Sequence, residues 1–267
     1  MAQPSSSDSV KHPQYVFDIE TVALSEEDVL ALMPEFNPDE IKIGNRKPEN
    51  AEAYIEQKRL EHKARFMERA ALSALTGRVM ALGIYNPNSE DKLIIVDDEP
   101  KLIETFFQWF ATGLGELTQW IGFRIADFDV PFIMRRAWAL NIPVPARALV
   151  KGRYLTSWFV DLAELWRASS RDPEMISLDR LARFLGVGSK ANTGAAFAAL
   201  LYENQEAAIE YLSNDLVLTW KIAERLGVIR PAEAEVANGP DLTEPAGVGR
   251  GDGTEEEAEL EPAATFW

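Results

Sequence analysis

The chain has 267 residues, 46% of them hydrophobic, no cysteine and a formal net charge of −16. That length and apolar share suit one large domain or two small ones with a real core, and the lack of cysteine excludes disulfides, thiolate zinc sites and a cysteine nucleophile. The acidic balance disfavours a broad duplex-coating role, which needs a basic surface, and no apolar run approaches the roughly 18 residues of a membrane span.

Residues 1–13 read as a disordered leader without the apolar core of a signal peptide. Strand character begins at Gln14 in QYVFDIET, with Tyr15, Val16, Phe17, Ile19 and Val22 as its apolar set. Residues 25–75 are charged and helix-favouring around a turn-rich centre, PEFNPDEIKIGNRKPEN, and predict a helical insertion containing a loop. GRVMALGIY and KLIIVDD predict two further strands. PKLIETFFQWFATGLG opens on proline and closes on glycine, as helices do. LTQWIGFRI then predicts a strand, DFDVPFIMRRAWALN a helix with Pro131 in its first turn, and YLTSWFVDL a strand. SLDRLARFLGVG predicts a short helix capped by Ser177 and stopped by Gly186. NQEAAIEYLSNDLVLTWKIAERLG predicts a long helix ended by Gly227, its apolar stripe running through Ile209, Leu212, Leu216, Trp220 and Ala223.

This order predicts an α/β layer fold in which the early strands pair antiparallel and the later ones parallel. From Pro231 the composition turns to Pro, Gly, Ala and Glu and predicts a disordered tail ending in Phe266-Trp267. Residues 231–267 hold ten acidic residues and one arginine, a net of −9, which leaves −7 on the other 230 residues.

Asp-x-Glu occurs three times, at Asp18/Glu20, Asp97/Glu99 and Asp172/Glu174. The second and third pairs adjoin Pro100 and Pro173 and read as exposed loop. Only Asp18 and Glu20 lie inside an apolar run. Strand alternation points both to one face, where burial and mutual repulsion disfavour their charged forms. Either this is an edge strand with one wet face, or a divalent cation sits between the pair; hard oxygen ligands suit Mg²⁺ or Mn²⁺. Two other acids are placed to join them. Asp129 lies at the mouth of a helix just past a strand, where α/β folds build sites; helix capping is its ordinary alternative, with Asp127 as a competing cap. Asp215 lies four residues after Tyr211 on the same helix face, in the one Tyr-x-x-x-Asp of the chain.

FDIET, GFRIADFDVPF and YLSND, in that order, resemble the three exonuclease motifs of the DnaQ-like DEDD 3′–5′ exonuclease superfamily. The tyrosine in the third motif is that of the DEDDy branch. The histidine form needs His five residues before Asp, which neither His12 nor His62 provides. The chain is similar to the predicted exonuclease group related to the proofreading domain of family B DNA polymerases, in which a segment like SLDRLARFLGVGSK precedes the third motif. The similarity covers about residues 14–227. Related sequences often carry Asn where Arg124 stands, so substrate contacts on that strand are expected to differ.

The resemblance implies an RNase H-like α/β domain over 14–230: a mixed central sheet flanked by helices, with the 25–75 insertion after the first strand. It implies 3′–5′ exonuclease action on DNA, single-stranded 3′ ends favoured, releasing nucleoside 5′-monophosphates in a setting such as DNA repair. Two divalent cations, Mg²⁺ or Mn²⁺, are implied: Asp18, Glu20 and Asp215 hold one, Asp18 bridges to the second, and Asp129 reaches that second ion through water. Tyr211 would orient the attacking water. The rivals are a DEDD-type exoribonuclease and a catalytically retired nucleic-acid-binding or scaffold module. Candidate substrate contacts are Thr21, Phe123, Arg124, Phe128, Phe132 and Lys190. The three aromatics either stack on unpaired bases or, more ordinarily, pack in the core. Lys190 and the inserted Lys42, Arg46, Lys47, Lys58 and Arg59 either meet phosphates or, for the inserted group, form a solvated face balanced by glutamates. The tail reads as a solubility device, a docking element for a protein partner through Phe266-Trp267, or an acidic shield over the site. No membrane association and a cytoplasmic location are expected.

Overall fold

The computed structural model describes residues 13–44, 47–88, 91–96, 98–112, 118–148, 158–168, 176–190 and 197–229, all within one unit, Met1–Pro231. Five strands, β1 (Gln14–Ala23), β2 (Gly77–Asn86), β3 (Asp91–Val96), β4 (Gln119–Gly122) and β5 (Phe159–Asp161), form one sheet in the order β3-β2-β1-β4-β5. β1 and β3 run antiparallel to β2, while β4 and β5 run parallel to β1. The helices are α1 (Glu26–Ala31), α2 (Pro48–Glu68), α3 (Glu99–Thr112), α4 (Asp129–Ala139), α5 (Leu162–Arg167), α6 (Leu178–Phe184), α7 (Phe197–Glu203) and α8 (Gln205–Arg225). α1 and α2 form the helical insertion between the first two strands. The mixed sheet flanked by helices is the RNase H-like architecture expected.

Alternation along β1 divides the core. Phe17 and Ile19 pack with Leu82, Phe106, Phe110 and Ile133 on the side of α3 and α4. Val16, from the other face, packs with Ile121, Leu162, Leu181 and Leu216 on the side of α5, α6 and α8. Asp18 and Glu20 share the parity of Val16 and so face α8. The first layer is aromatic: the Phe17 and Phe106 rings lie 5.2 Å apart and those of Phe110 and Phe159 stack at 5.3 Å.

Capping follows the sequence. The Ser177 side chain accepts from the Arg180 amide at the start of α6, Asn204 from the Ala207 amide at the start of α8, and Gly186 and Gly227 adopt the left-handed conformation just past those helices. β4 stops at Gly122, short of the expected strand through Ile125. There the chain turns, with Arg124 at φ 64°. The Asp161 carboxylate accepts from the amides of Arg124 and Ala126 at 2.9 and 2.8 Å, and from Ala163 at the start of α5 at 2.9 Å. α5 and α7 have six and seven residues, too short to present a distinct helical period. The leader residues 1–12, Arg46, Asp97, Gly113, Gly115, the start of the 154–162 segment, Asp172/Glu174 and the tail from 230 lie outside the described residues. No described helix is long and apolar enough to cross a membrane.

Glu99 corrects one expectation. It is not exposed loop but buried in the first turn of α3. Its carboxylate takes a two-pronged contact from Arg136 of α4, at 2.9 and 2.7 Å, and accepts from the Val79 amide at 2.8 Å. Arg136 donates also to the Ala74 carbonyl at 3.2 Å. One ion pair thus ties the end of the insertion, β2, α3 and α4 together.

Removing one partner of a buried pair leaves an uncompensated charge. Arg136→Ala should therefore lower stability by about 3–5 kcal/mol in urea unfolding, whereas replacing both partners with apolar residues of similar size should cost far less. A cost below ~1 kcal/mol for Arg136→Ala would remove this pair from the framework.

Candidate active site

The site forms where β1 outruns its neighbour. β4 pairs with β1 only from Gln14 to Val16, so the Ile19 amide on that side has no strand partner. The Asp129 carboxylate accepts from it at 3.0 Å. Asp129 occupies the first turn of α4 but caps nothing; the N-cap position is Phe128, without a side-chain capping bond, and Asp127 is exposed. On the other edge Asp18 lies opposite Gly83 of β2, and the register shifts between Glu20 and Thr21. Such bulges re-aim side chains. Gly83 packs closely under α8: a Cβ there would come within 2.7 Å of Leu216 Cδ1, so that side chain would have to shift. The absence of a Cβ at Gly83 lets α8 lie close on the sheet, bringing Asp215 to Asp18 and Glu20.

Ligand oxygens of Asp18, Glu20 and Asp215 all lie within 4.8 Å of one another. Asp129 adjoins them, close enough for its charge to act on Asp18. Asp215 is buried; its Oδ2 is held by Lys190 Nζ at 2.5 Å, while its Oδ1 is buried without a hydrogen-bond partner. Buried carboxylate oxygens are ordinarily paired. An acid with an orphaned oxygen, grouped within 4.8 Å of two further carboxylates, is the arrangement a hard divalent cation completes, so the residues present fit Mg²⁺ or Mn²⁺. Tyr211, one turn before Asp215, accepts from Lys190 Nζ at 3.3 Å.

Electrostatics register the crowding. Burial, then the neighbouring charges of Asp129, Glu20 and Asp215, hold the Asp18 carboxyl well above the usual range. Burial and Asp215 push Glu20 up to about 8, against some relief from Lys190. Burial raises Asp129 to about 7 although the hydrogen bond from the Ile19 amide pulls it down. Burial also raises Asp215, despite Lys190, and pushes the Tyr211 phenol up to about 12. For Lys190 burial acts downward, but Asp215, Tyr211 and Asp18 outweigh it and the ammonium is held above its ordinary value.

The other expected contacts divide. The Thr21 hydroxyl donates to the Ala71 carbonyl at 2.8 Å, pinning the insertion to β1. Phe132 is buried in the core, with its ring 5.4 Å from that of half-buried Phe128. Phe123 is half-buried against the α6–α8 core. The Arg124 guanidinium is largely exposed, 4.0 Å from Asp127. Lys58 pairs with Glu61 and Arg59 with Glu56, at 2.7 and 3.2 Å, the balance by glutamates expected of a solvated helix face. Asp161, not anticipated as a site residue, holds the turn that carries Arg124 and leads to Asp129. Asp161 is the N-cap of α5, but six residues are too few to mark that helix, and so its cap, in the sequence.

Residues 67–226 match the model of the RNase H superfamily. No curated protein matches the chain. Among solved structures, the family B DNA polymerase from the hyperthermophilic archaeon Pyrobaculum calidifontis is similar over 80% of this chain, with a TM-score of 0.50 and 17% identity. This chain spans 24% of that polymerase chain. At that identity the likeness is one of fold.

The crowding sets a pH dependence in chelated protein. Glu20 has a folded pKa of about 8 against an ordinary 4.5, so the folded chain binds its proton more tightly than the unfolded chain. Its contribution is fully present below about pH 4.5 and lost as pH rises through about 8. Glu20→Gln should match wild type in the free energy of urea unfolding at pH 4.5 and exceed it by about 1–2 kcal/mol at pH 8.5. Asp215→Asn should gain nothing, because Lys190 then loses its partner. Equal pH slopes for Glu20→Gln and wild type would contradict the repulsion described.

Proposed function

The chain belongs to the RNase H superfamily, and from that premise we propose that it is a DnaQ-like, DEDDy-type 3′–5′ exonuclease that hydrolyses DNA from single-stranded 3′ ends. The observation that carries this reading is the meeting of Asp18, Glu20 and Asp215 within 4.8 Å, with Asp129 beside Asp18. Three separate segments of chain contribute these acids, and one of them, Asp215, has a buried oxygen without a partner. The superfamily and the polymerase-like fold support a nuclease; the tyrosine and the order of the motifs support the branch.

Bound divalent cations would supply a hydroxide nucleophile from water and neutralise charge on the oxygens of the phosphodiester. Asp18, Glu20 and Asp215 would hold one ion, and Asp18 with Asp129 would hold the second. A phenol raised to about 12 is no base at neutral pH. Tyr211 instead orients the attacking water by a hydrogen bond. The Ile19 amide holds Asp129 in place, and the Asp161 hydrogen bonds fix the turn before it. Phe123, Phe128 and Arg124, each at least partly exposed, are the candidates for contact with bases and backbone. The product is a nucleoside 5′-monophosphate.

Incubation of 5′-labelled single-stranded DNA with the protein and Mg²⁺ or Mn²⁺ should give a ladder shortening from the 3′ end. Chelator and Asp18→Ala should abolish it. Tyr211→Phe should slow it by on the order of 10- to 100-fold, the low end for a positioned hydrogen-bonding group. Parallel duplex and RNA oligomers define the substrate class. Digestion that survives both chelator and Asp18→Ala would end the proposal.

A further inference from the structure

A basic side chain stands inside the carboxylate group. Lys190 Nζ lies 2.5 Å from Asp215 Oδ2 and 3.3 Å from the Tyr211 hydroxyl, and 5.4 Å from the centre of the Tyr211 ring. Its charge is felt at Asp18 and Glu20 as well. Its main chain is anchored apart from the site. The Lys190 amide donates to Asp179 Oδ1 of α6 at 2.8 Å, and Gly188 sits so close to α8 that a Cβ would come within 2.7 Å of Leu218 Cδ2. The ammonium, by contrast, rides on four methylenes and is free to leave without moving the backbone.

We propose that the Lys190 ammonium is a tethered placeholder for the metal: it neutralises Asp215 in the metal-free site and is driven off that carboxylate when a divalent cation enters. The proposal rests on the metal-dependent reading above. Two observations carry it beyond that reading. The ammonium is paired with the very acid whose second oxygen is orphaned, so lysine and metal compete for one carboxylate. Both are cations, and at a few ångströms in a partly buried site their repulsion is poorly screened. A single charge beside four acids leaves the cluster underneutralised, which keeps the site receptive to a dication while preventing all four acids from being bare at once.

The test uses full-length, metal-free protein at pH 8, with Mn²⁺ alone as the probe. An ammonium seated in about nine molecules of ten lowers the apparent metal affinity about tenfold, so Lys190→Met and Lys190→Gln should bind Mn²⁺ about tenfold more tightly by calorimetry. Asp215→Asn should lose binding. Independently, reductive methylation of wild type followed by peptide mass spectrometry should show Lys190 labelled severalfold faster with Mn²⁺ than without; this arm needs no variant to fold. Wild-type binding with unchanged or weaker affinity in the Lys190 variants, or unchanged labelling, would overturn the placeholder alone. Absence of Mn²⁺ binding in wild type and in both Lys190 variants would instead overturn the metal reading, and the placeholder with it.

Discussion

Like charges forced together against burial are the constraint on which this structure turns. Left to themselves, Asp18, Glu20, Asp129 and Asp215 would separate into water, since burial and neighbouring charge both disfavour their ionised forms. They meet because stronger and more numerous interactions elsewhere permit no alternative. The aromatic layer under Phe17 fixes β1. The missing side chain at Gly83 lets α8 lie close on the sheet, and the Glu99–Arg136 pair ties α4 to α3, β2 and the insertion. The site is thus a strained region held by an unstrained frame, as functional sites often are.

The buried acids among the described residues differ in their partners. Glu99 has an arginine fork and a backbone amide. Asp161 has three short amide bonds. Each is a staple whose oxygens are satisfied. Asp215 is the opposite case, one oxygen on the Lys190 ammonium and the other without a hydrogen-bond partner. Asp129 stands between these cases: one oxygen stands in for a strand partner of Ile19, yet it remains beside Asp18. The distinction that matters is therefore spare coordinating capacity.

That distinction explains which parts of the molecule were legible in the sequence. Period two in QYVFDIET, period three to four in the last helix, and the caps at Ser177, Gly186 and Gly227 are local signals, and the corresponding elements formed as read. Asp18 and Glu20 were visible because two charges interrupt an apolar alternation. Asp97/Glu99 carried the same local pattern in a polar setting, so nothing within a few residues distinguished Glu99 from solvent-facing loop; its partner is 37 positions away. Asp161 accepts from amides up to 37 positions distant, and Lys190 finds Asp215 through the packing of α6 against α8. Such long-range pairings have no period and no neighbour to announce them. The family match itself begins at residue 67, beyond β1, so the first acidic pair enters the site through the geometry of the sheet.

Under the proposed function an acidic protein acts on a polyanion, which is contradictory only if the surface does the binding. Here the acids nearest the scissile bond would face cations, and a site short of positive charge attracts them. Lys190 moderates this deficit without cancelling it. Full neutralisation by fixed lysines or arginines would stabilise the fold and remove its appetite for metal; none at all would leave four acids bare and lift their pKa values until protons, rather than metal, filled the site. A single ammonium on a flexible stem lies between those limits. On the proposed reading, the unmet charge at Asp18, Glu20 and Asp215 is what would draw a divalent cation into the site.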